Sequence, residues 1–143
     1  MTDLPKTQRH DLEIEEIEKD RLSSKVRKIR AQGSAVDNFE ALVQKAEDLA
    51  KKITYLDEDL RVVETDSAHE VVTLRSDEPQ SSPQEVEYFQ MELHKDGQTQ
   101  LERKRYKREE TETENVDFVV TEKNLERLGK DLGKDLGKDL KGK

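Results

Sequence analysis

The sequence predicts an α+β fold in which an N-terminal antiparallel helix pair packs on a four- to five-stranded antiparallel meander, with a C-terminal helix or frayed tail. Three observations favour this fold class. Asp96-Gly97 separates two β-prone segments and is typical of a hairpin turn. Residues 37–57 carry apolar side chains at the spacing of an amphipathic helix, and residues 11–32 carry a weaker version of that pattern.

The composition indicates a single domain with a small hydrophobic core. Of the 143 residues, 42% are charged and 31% are hydrophobic, and the net charge is −8 with a pI near 5.0. A chain of this length fits one domain, and its acidity argues against general binding of polyanions. Self-association would bury further apolar surface, so a homodimer is one expected state.

The chain contains no Cys, so it can form neither disulfides nor a thiolate metal site. Its N-terminal residues lack the apolar segment of a secretory signal. No run of about 18 apolar residues, the length needed to span a membrane, occurs in it. We therefore expect a soluble, cytoplasmic protein with no membrane association.

The N-terminal part is predicted to be a flexible start, residues 1–10, followed by a first helix at about 11–32. The first half of this helix is acidic and the second half basic, an order that complements the helix dipole. Gly33 would end it. The helix could offer a coiled-coil face to a partner, but its apolar stripe is too short for sustained heptads, so packing on its own domain is favoured.

The second helix, about 37–57, has the most regular apolar pattern in the chain. Asp37 and Glu40 predict a capping box at its start. The short link between the two helices predicts that they run antiparallel. The apolar positions are Phe39, Leu42, Val43, Ala46, Leu49, Ala50, Ile53 and Leu56.

Five strands are predicted after the helices, at about 60–65, 70–75, 85–95, 99–108 and 116–120. The first two form a short acidic hairpin, and the third and fourth form a long hairpin around Asp96-Gly97. If only Asp96-Gly97 forms the loop, Leu93 faces Gln100. If Gln98 joins the loop, Leu93 faces Leu101, Tyr88 faces Tyr106 and Glu87 faces Lys107. We favour this second register because of these cross-strand pairs.

The C-terminal segment 129–143 is a low-complexity tail built on the repeat LGKD. Thr121 is predicted to cap a last helix in which Leu125, Leu128, Leu132, Leu136 and Leu140 recur. The glycines of the repeat each cost a helix about 1 kcal/mol relative to Ala. A frayed tail is therefore favoured over an amphipathic tail that docks on a partner.

One basic segment around a single Tyr is the sharpest local feature. Its side chains could neutralise phosphates while Tyr106 stacks on a base, or they could bind an acidic protein. On a strand, however, alternate side chains point to opposite faces, and the acidic segment 109–114 that follows supplies counter-charge. We favour a self-neutralised strand. The candidate contact residues are Arg103, Lys104, Arg105, Tyr106, Lys107 and Arg108.

No catalytic, cofactor or metal site is predicted. His10, His69 and His94 lie far apart in sequence, and nothing indicates that two of them converge with carboxylates. No glycine-rich phosphate loop or nucleophile motif occurs. We therefore expect no cofactor and favour a non-catalytic role over an enzymatic one.

The expected function is a small protein-interaction or adaptor module that uses the helix pair or the open face of the sheet. The alternative is a small-ligand-binding or enzymatic domain with a pocket between helix and curved sheet. That pocket could include Tyr55, Tyr88, His94 and Tyr106. Nucleic-acid binding through residues 103–108 is a third hypothesis.

The predicted order of one long helix followed by four antiparallel strands resembles the cystatin-like and nuclear-transport-factor-like architectures. The resemblance concerns element order only, and no residue motif accompanies it. It therefore implies a fold and no functional residues.

Overall fold

Ten β-strands and two α-helices make up residues 6–133, the part of the chain that the computed structural model describes. In chain order they are β1 (Lys6–Arg9), β2 (Leu12–Lys19), β3 (Ser23–Gln32), α1 (Phe39–Lys52), β4 (Leu60–Asp66), β5 (Val71–Ser76), β6 (Gln80–Ser81), β7 (Glu85–His94), β8 (Gln98–Lys107), β9 (Glu112–Val116), β10 (Phe118–Thr121) and α2 (Glu122–Leu132).

All strands belong to one antiparallel sheet with the order β1-β2-β3-β8-β7-β5-β4. The two central strands, β3 and β8, pair over residues 28–32 and 98–102. Beyond that point they diverge, and β10 pairs with β3 while β9 pairs with β8. Only Asp117 separates β9 from β10, so these two short strands fill the fork between the central strands. The short strand β6 pairs with β7.

The predicted helix at 11–32 is wrong, because these residues form the hairpin β2–β3. Its acidic half and basic half are the two strands, and Glu13 and Glu15 lie opposite Arg30 and Lys28. Opposite charges at directly opposed positions stabilise a strand pair, so the pattern that suggested dipole compensation is a cross-strand pattern.

Bulges account for the helical appearance of this segment. Leu12 and Ile14 are buried with a period of two, but register shifts follow at Glu15/Glu16 and Glu16/Glu18. On β3 the alternation is broken at the same place, because the buried residues Val26 and Ile29 are three positions apart. An extra residue in a strand breaks the alternation and produces a spacing close to a helix turn.

The predicted fold class, a helix pair on a small meander, is therefore wrong, and the molecule is mostly β-sheet. Helix α1 is followed by the antiparallel strands β4, β5, β7 and β8, but three strands that precede α1 join the same sheet, so the sheet is larger than the one on which the resemblance to cystatin-like and nuclear-transport-factor-like architectures depended. Residues 6–9, within the predicted flexible start, form β1, and residues 1–5 lie outside the described part.

Helix α1 packs its apolar side on β4, β5 and β7. Leu42, Ala46 and Ile53 are fully buried there, as the sequence pattern predicts. Its N-cap is Asn38, whose side chain accepts the backbone N–H of Ala41 at 2.8 Å. The predicted capping box at Asp37 is therefore wrong by one residue.

The long hairpin is formed by β7 and β8, but both registers considered from the sequence are wrong. The loop has three residues, Lys95–Gly97, and Leu93 faces Thr99. Gly97 adopts φ 99 and donates its N–H to the carbonyl of His94 at 3.0 Å, so the turn requires Gly at its third position rather than its second. In this register Met91 faces Leu101, which still joins apolar residues.

The last helix is capped as predicted, since Thr121 Oγ1 accepts the N–H of Asn124 at 3.0 Å. However, α2 continues to Leu132, which is buried, so Gly129–Leu132 belong to the helix rather than to a frayed tail. A Cβ at Gly129 would collide with the backbone of His10, so this glycine permits close packing on the β1–β2 turn. The predicted tail beyond residue 133 lies outside the described residues.

The sheet has two chemically different faces. One row of directly opposed residues runs across the sheet beneath the helices and is entirely apolar. From β2 to β4 it consists of Ile14, Ile29, Leu101, Met91, Leu74 and Val62. We call this side the helix-covered face. The opposite side, on which neither α1 nor α2 lies, is called the helix-free face.

Candidate functional site

The neighbouring row on the helix-free face is polar from end to end. Residues directly opposed in antiparallel strands point to the same face. From β2 to β4 this row consists of Glu15, Lys28, Glu102, Gln90, Arg75 and Arg61. A row of polar side chains that spans six strands, five of them charged, is therefore presented on the side that the helices leave uncovered.

Glu102 is the centre of an ionic cluster in this row. Its carboxylate lies 3.0 Å from Lys28 Nζ and 3.3 Å from Lys104 Nζ, and Asn115 Nδ2 donates to it at 3.2 Å. Burial alone would raise the pKa of Glu102, but the hydrogen bond from Lys28 and the charge of Lys104 outweigh it and lower the pKa. Glu102 is only 5% exposed, so its neighbours shield it without a covering element.

Two of the three tyrosines of the chain lie beside this cluster on the same face. Tyr88 is directly opposite Lys104, and Tyr106 is opposite Val86 on the same two strands, β7 and β8. Tyr88 and Tyr106 are therefore diagonal neighbours. Arg75 adjoins them on β5, with its guanidinium carbon 5.6 Å from the ring centroid of Tyr88. We call Arg75, Tyr88, Lys104 and Tyr106 the tyrosine–arginine patch.

Arg75 is held in place by neutral groups. Its Nε–H donates to Gln90 Oε1 at 2.8 Å, and its guanidinium lies near the ring of Tyr88. Within residues 6–133 no carboxylate lies at ion-pair distance from it. Arg61 is directly opposite Arg75 in the register of β4 and β5. Like charges in this position are unfavourable unless an anion balances them.

The basic segment 103–108 is divided between the two faces, as strand alternation predicts. Arg103 points to the helix-covered face, where its Nη1 and Nη2 atoms donate to Glu58 at 3.2 and 3.1 Å and its Nε donates to Glu87 at 3.0 Å. Arg105 donates to Glu87 at 2.9 Å. Burial alone would lower the pKa of Arg103, but its hydrogen bonds to Glu58 and Glu87 outweigh this effect and raise the pKa.

The other members of the segment are placed less uniformly. Lys107 lies 3.7 Å from Glu114, and Arg108 donates to the carbonyl of Ser82 at 3.2 Å. Only Lys104 and Tyr106 join the helix-free face. The geometry thus brings together two of the six candidate residues with Tyr88, which the favoured register placed opposite Tyr106, and with Arg75, which sequence reasoning did not place beside them.

The four side chains considered for a ligand pocket do not converge. Tyr55 lies at the helices, where its hydroxyl donates to Asp131 at 2.6 Å. Tyr88 and Tyr106 lie on the opposite face of the sheet, and His94 lies at the end of β7 near Glu92. The contact between α1 and the sheet is filled by fully buried Leu42, Ala46 and Ile53.

A second ionic cluster joins α2 to the N-terminal strands. Arg9 donates to Glu16 and to Glu122 at 2.7 Å each, and Ser24 Oγ donates to Glu16 at 2.6 Å. The hydrogen bond from Arg9 lowers the pKa of Glu122 to about 2. His10 also contacts Glu122 at 3.3 Å. These groups satisfy one another, so the cluster positions α2 rather than offering a ligand site.

The described part of the chain contains no group of three or more His, Asp or Glu side chains arranged to hold a metal ion. Neither of the helices in residues 6–133 is long and apolar enough to cross a membrane. No family model, curated protein or solved structure matches this chain. Its own geometry is therefore the basis for a functional proposal.

Proposed function

We propose that this protein is a non-catalytic interaction module that binds a protein partner through the tyrosine–arginine patch. The supporting observation is that Tyr88, Tyr106 and Arg75 lie together on a face that no element in residues 6–133 covers. Tyr and Arg are among the residues that carry most binding energy at protein interfaces. Both tyrosines stand on paired strands, which hold them rigidly and reduce the entropy lost on binding.

A second copy of the chain is a less suitable partner for this face. Two sheets that pack face to face need interdigitating apolar side chains. Here the central row carries Glu102, Lys28 and Arg75, whose charges would lose their water. The homodimer expected from the composition is therefore a weaker proposal than a different partner that covers the patch alone.

A ligand pocket between helix and sheet also has less support. The apolar side of α1 fills that space, and the polar side chains that were candidates for the pocket lie on different faces. A groove of about 410 Å³ is present elsewhere, between α1 and residues 34–36. It is open to solvent, its residues Asp48 and Lys52 are exposed, and Lys45 already donates to the carbonyl of Ser34 at 3.3 Å.

Single-stranded nucleic acid is the second candidate, favoured by one specific observation. Tyr88 and Tyr106 are diagonal neighbours beside Lys104, so two bases could stack while a phosphate is neutralised. Glu102 and Glu92 lie on the same face, however, and the chain has a net charge of −8. Interleaved carboxylates suit a protein surface better than a phosphate backbone.

Site-specific photocrosslinking tests the proposal. The full chain, carrying p-benzoylphenylalanine in place of Tyr106, is irradiated in an extract of the source cells. We expect one discrete adduct. Adding excess wild-type protein without the photoreactive residue should prevent its formation, whereas adding excess Tyr88→Ala/Tyr106→Ala variant should not. The matched control carries the same photoreactive residue in place of Leu22, which is 73% exposed in the β2–β3 turn. An equal adduct at that position, or equal competition by the double variant, would contradict the proposal.

Two further measurements separate the alternatives. Fluorescence anisotropy with labelled single-stranded RNA and DNA at low salt reports nucleic-acid binding, which is strongest under those conditions. Binding that the Tyr88→Ala/Tyr106→Ala variant loses would favour the nucleic-acid candidate over a protein partner. Light scattering at micromolar concentration reports self-association, and a dimer abolished by the same variant would favour a second copy.

A further inference from the structure

We propose that Arg75, together with Arg61 opposite to it, binds the carboxylate of an Asp or Glu side chain on the partner. This inference deepens the proposed function and rests on it for the identity of the ligand as a protein. It specifies the chemistry of the partner surface, which the tyrosines alone do not. Three observations support it. Most other arginines have a carboxylate partner and Arg75 does not, Arg61 lies directly opposite Arg75 in the register of β4 and β5, and the Nη groups of Arg75 are free to donate within residues 6–133.

Most arginines of the described chain already have a carboxylate partner. Within 4.0 Å of a carboxylate oxygen lie Arg9, Arg27, Arg30, Arg61, Arg103 and Arg105. Arg75 is ordered as well, but by Gln90 and Tyr88, which are neutral. An arginine that is oriented on an open face without a counter-charge is prepared to receive one from another molecule.

The position of Arg61 adds to this requirement. It lies directly opposite Arg75, and like charges at directly opposed positions destabilise a strand pair. Arg61 contacts Asp77 at 3.0 Å, but both side chains of that pair are more than half exposed. Exposed ion pairs contribute little, so Arg61 can turn from Asp77 towards a new anion at small cost. A carboxylate between the two guanidinium groups would remove the repulsion.

The remaining donors of Arg75 suit a carboxylate. Gln90 occupies Nε–H, and within residues 6–133 no acceptor binds the Nη1 and Nη2 groups, which are therefore the donors offered to a ligand. Two such N–H groups can bind both oxygens of one carboxylate. The ring of Tyr88 lies beside the guanidinium and restricts its orientation before a ligand arrives. The side chain of Arg75 is therefore already ordered in the free protein, so less conformational entropy is lost when a ligand binds.

A side-chain carboxylate fits the surroundings better than a phosphate. Asp77 is at the edge of the site beside Arg61, and Glu92 and Glu64 lie opposite Thr73, the residue two positions before Arg75 on β5. A doubly charged phosphate would be repelled by these groups more strongly than a singly charged carboxylate. An acidic residue that follows an apolar or aromatic side chain could contact Arg75 while its neighbour packs on Tyr88.

Nuclear magnetic resonance of the full chain tests this site directly. The probe is an acetylated tetraglutamate amide, with the tetraglutamine peptide and inorganic phosphate as comparison ligands at low salt. We expect tetraglutamate to shift the Nε–H signal of Arg75 and the side-chain amide of Gln90 in a saturable manner. Arg75→Gln should weaken binding about tenfold or more, as expected for loss of a bidentate charged hydrogen bond. Arg75→Lys, which keeps the charge and loses the fork, should fall between.

Arg30→Gln is the matched control, because Arg30 lies on the same face and the substitution removes the same charge. It should leave binding within about twofold, since only long-range charge is lost. Three outcomes would overturn the site: an unshifted Arg75 signal, equal weakening by Arg30→Gln and Arg75→Gln, or tighter binding of phosphate than of tetraglutamate.

The outcomes for this site and for the proposed function are distinguishable. If tetraglutamate leaves Arg75 unchanged while the crosslink at position 106 remains specific, the carboxylate site is wrong and the interaction module stands. If the Arg75 signal shifts as expected but the crosslink is unspecific, the anion site stands and the protein-binding proposal fails.

Discussion

Arg103 and Arg75 lie on opposite faces of one sheet and are held in different ways. Each guanidinium is close to an aromatic ring of β7, Arg103 at 4.6 Å from the centroid of Phe89 and Arg75 at 5.6 Å from that of Tyr88. Arg103 is buried and bound by Glu58 and Glu87 from its own chain. Arg75 is bound by Gln90 and has no carboxylate partner within residues 6–133.

The charge of Arg103 is used within the fold, whereas the charge of Arg75 is available to a partner. A buried cation must have its counter-ions within the chain, because an unpaired charge in the interior costs several kcal/mol. A cation at the surface has no such requirement, and its lack of a counter-ion costs little while water is present. The same residue type therefore stabilises the fold on the helix-covered face and offers a binding group on the helix-free face.

The largest effect on stability is expected for Arg103→Ala. This change removes both hydrogen bonds from Arg103 to Glu58, whose side chain is as buried as that of Arg103, while Glu87 keeps its contact with Arg105. We expect a loss of about 3–5 kcal/mol in the free energy of unfolding, the range for a broken buried ion pair. Urea denaturation followed by circular dichroism measures it. Arg105→Ala, whose ion pairs are about one-third exposed, should cost less than about 1 kcal/mol. Equal losses would remove the distinction between buried and exposed charge on this strand.

Leu132→Ala should cost about 3 kcal/mol, because it removes a buried side chain from the packing of α2 on the helix-covered face. The matched control is Lys130→Ala on the exposed side of the same helix turn, which should change stability by less than about 0.5 kcal/mol. The same denaturation experiment reports both values. A cost near zero for Leu132→Ala would restore the sequence-based expectation of a frayed tail from residue 129 onwards.

The elements predicted correctly are those in which one uninterrupted pattern determines the local structure. Apolar residues at helical spacing from Phe39 to Ile53 predicted α1. Strict alternation through Phe89, Met91 and Leu93 predicted β7. The hairpin β2–β3 was missed because its bulges break the alternation near Glu16, so that no single period holds. Cross-strand charge pairs such as Glu13 with Arg30 were visible in the sequence, but they also fit a helix dipole.

The candidate site was less accessible to prediction, because it depends on which strands are neighbours. Strand alternation was enough to predict that residues 103–108 divide between two faces. It could not place Arg75 beside Tyr88, since that contact requires β5 to pair with β7 in one specific register. A one-residue shift in a register turns every side chain to the other face, and the register of β7 with β8 itself was wrong.

Acid should weaken the attachment of α2, where cations and carboxylates are paired within the chain as they are at Arg103. The pKa of Glu122 is lowered to about 2 from its usual 4.5. A lowered pKa in the folded state means that the stabilisation is complete above pH 4.5 and is lost as the pH falls towards 2. We expect Glu122→Gln to cost about 1 kcal/mol at pH 7, as for a partly exposed pair.

The difference in stability between wild type and Glu122→Gln should therefore shrink progressively below about pH 4.5. Urea denaturation of both proteins between pH 7 and pH 2.5 measures it. A difference in stability that is constant over this range would show that the contact between Arg9 and Glu122 does not depend on the negative charge of Glu122. Glu126→Gln is the control, because Glu126 lies on the exposed side of the same helix and its carboxylate is 3.8 Å from the exposed Lys130.

The smallest effect on stability is expected for Arg75→Gln, and this is the sharpest test of the comparison with Arg103. The substitution removes one hydrogen bond to Gln90 and a contact with the ring of Tyr88, and it also removes the repulsion with Arg61. These terms oppose each other, so the free energy of unfolding should change by less than about 0.5 kcal/mol. Binding of tetraglutamate should nevertheless fall about tenfold, because the ligand relies on the donors that the fold does not use. A large loss of stability would mean that Arg75, like Arg103, belongs to the structure, and that the helix-free face uses its charges to hold the sheet together.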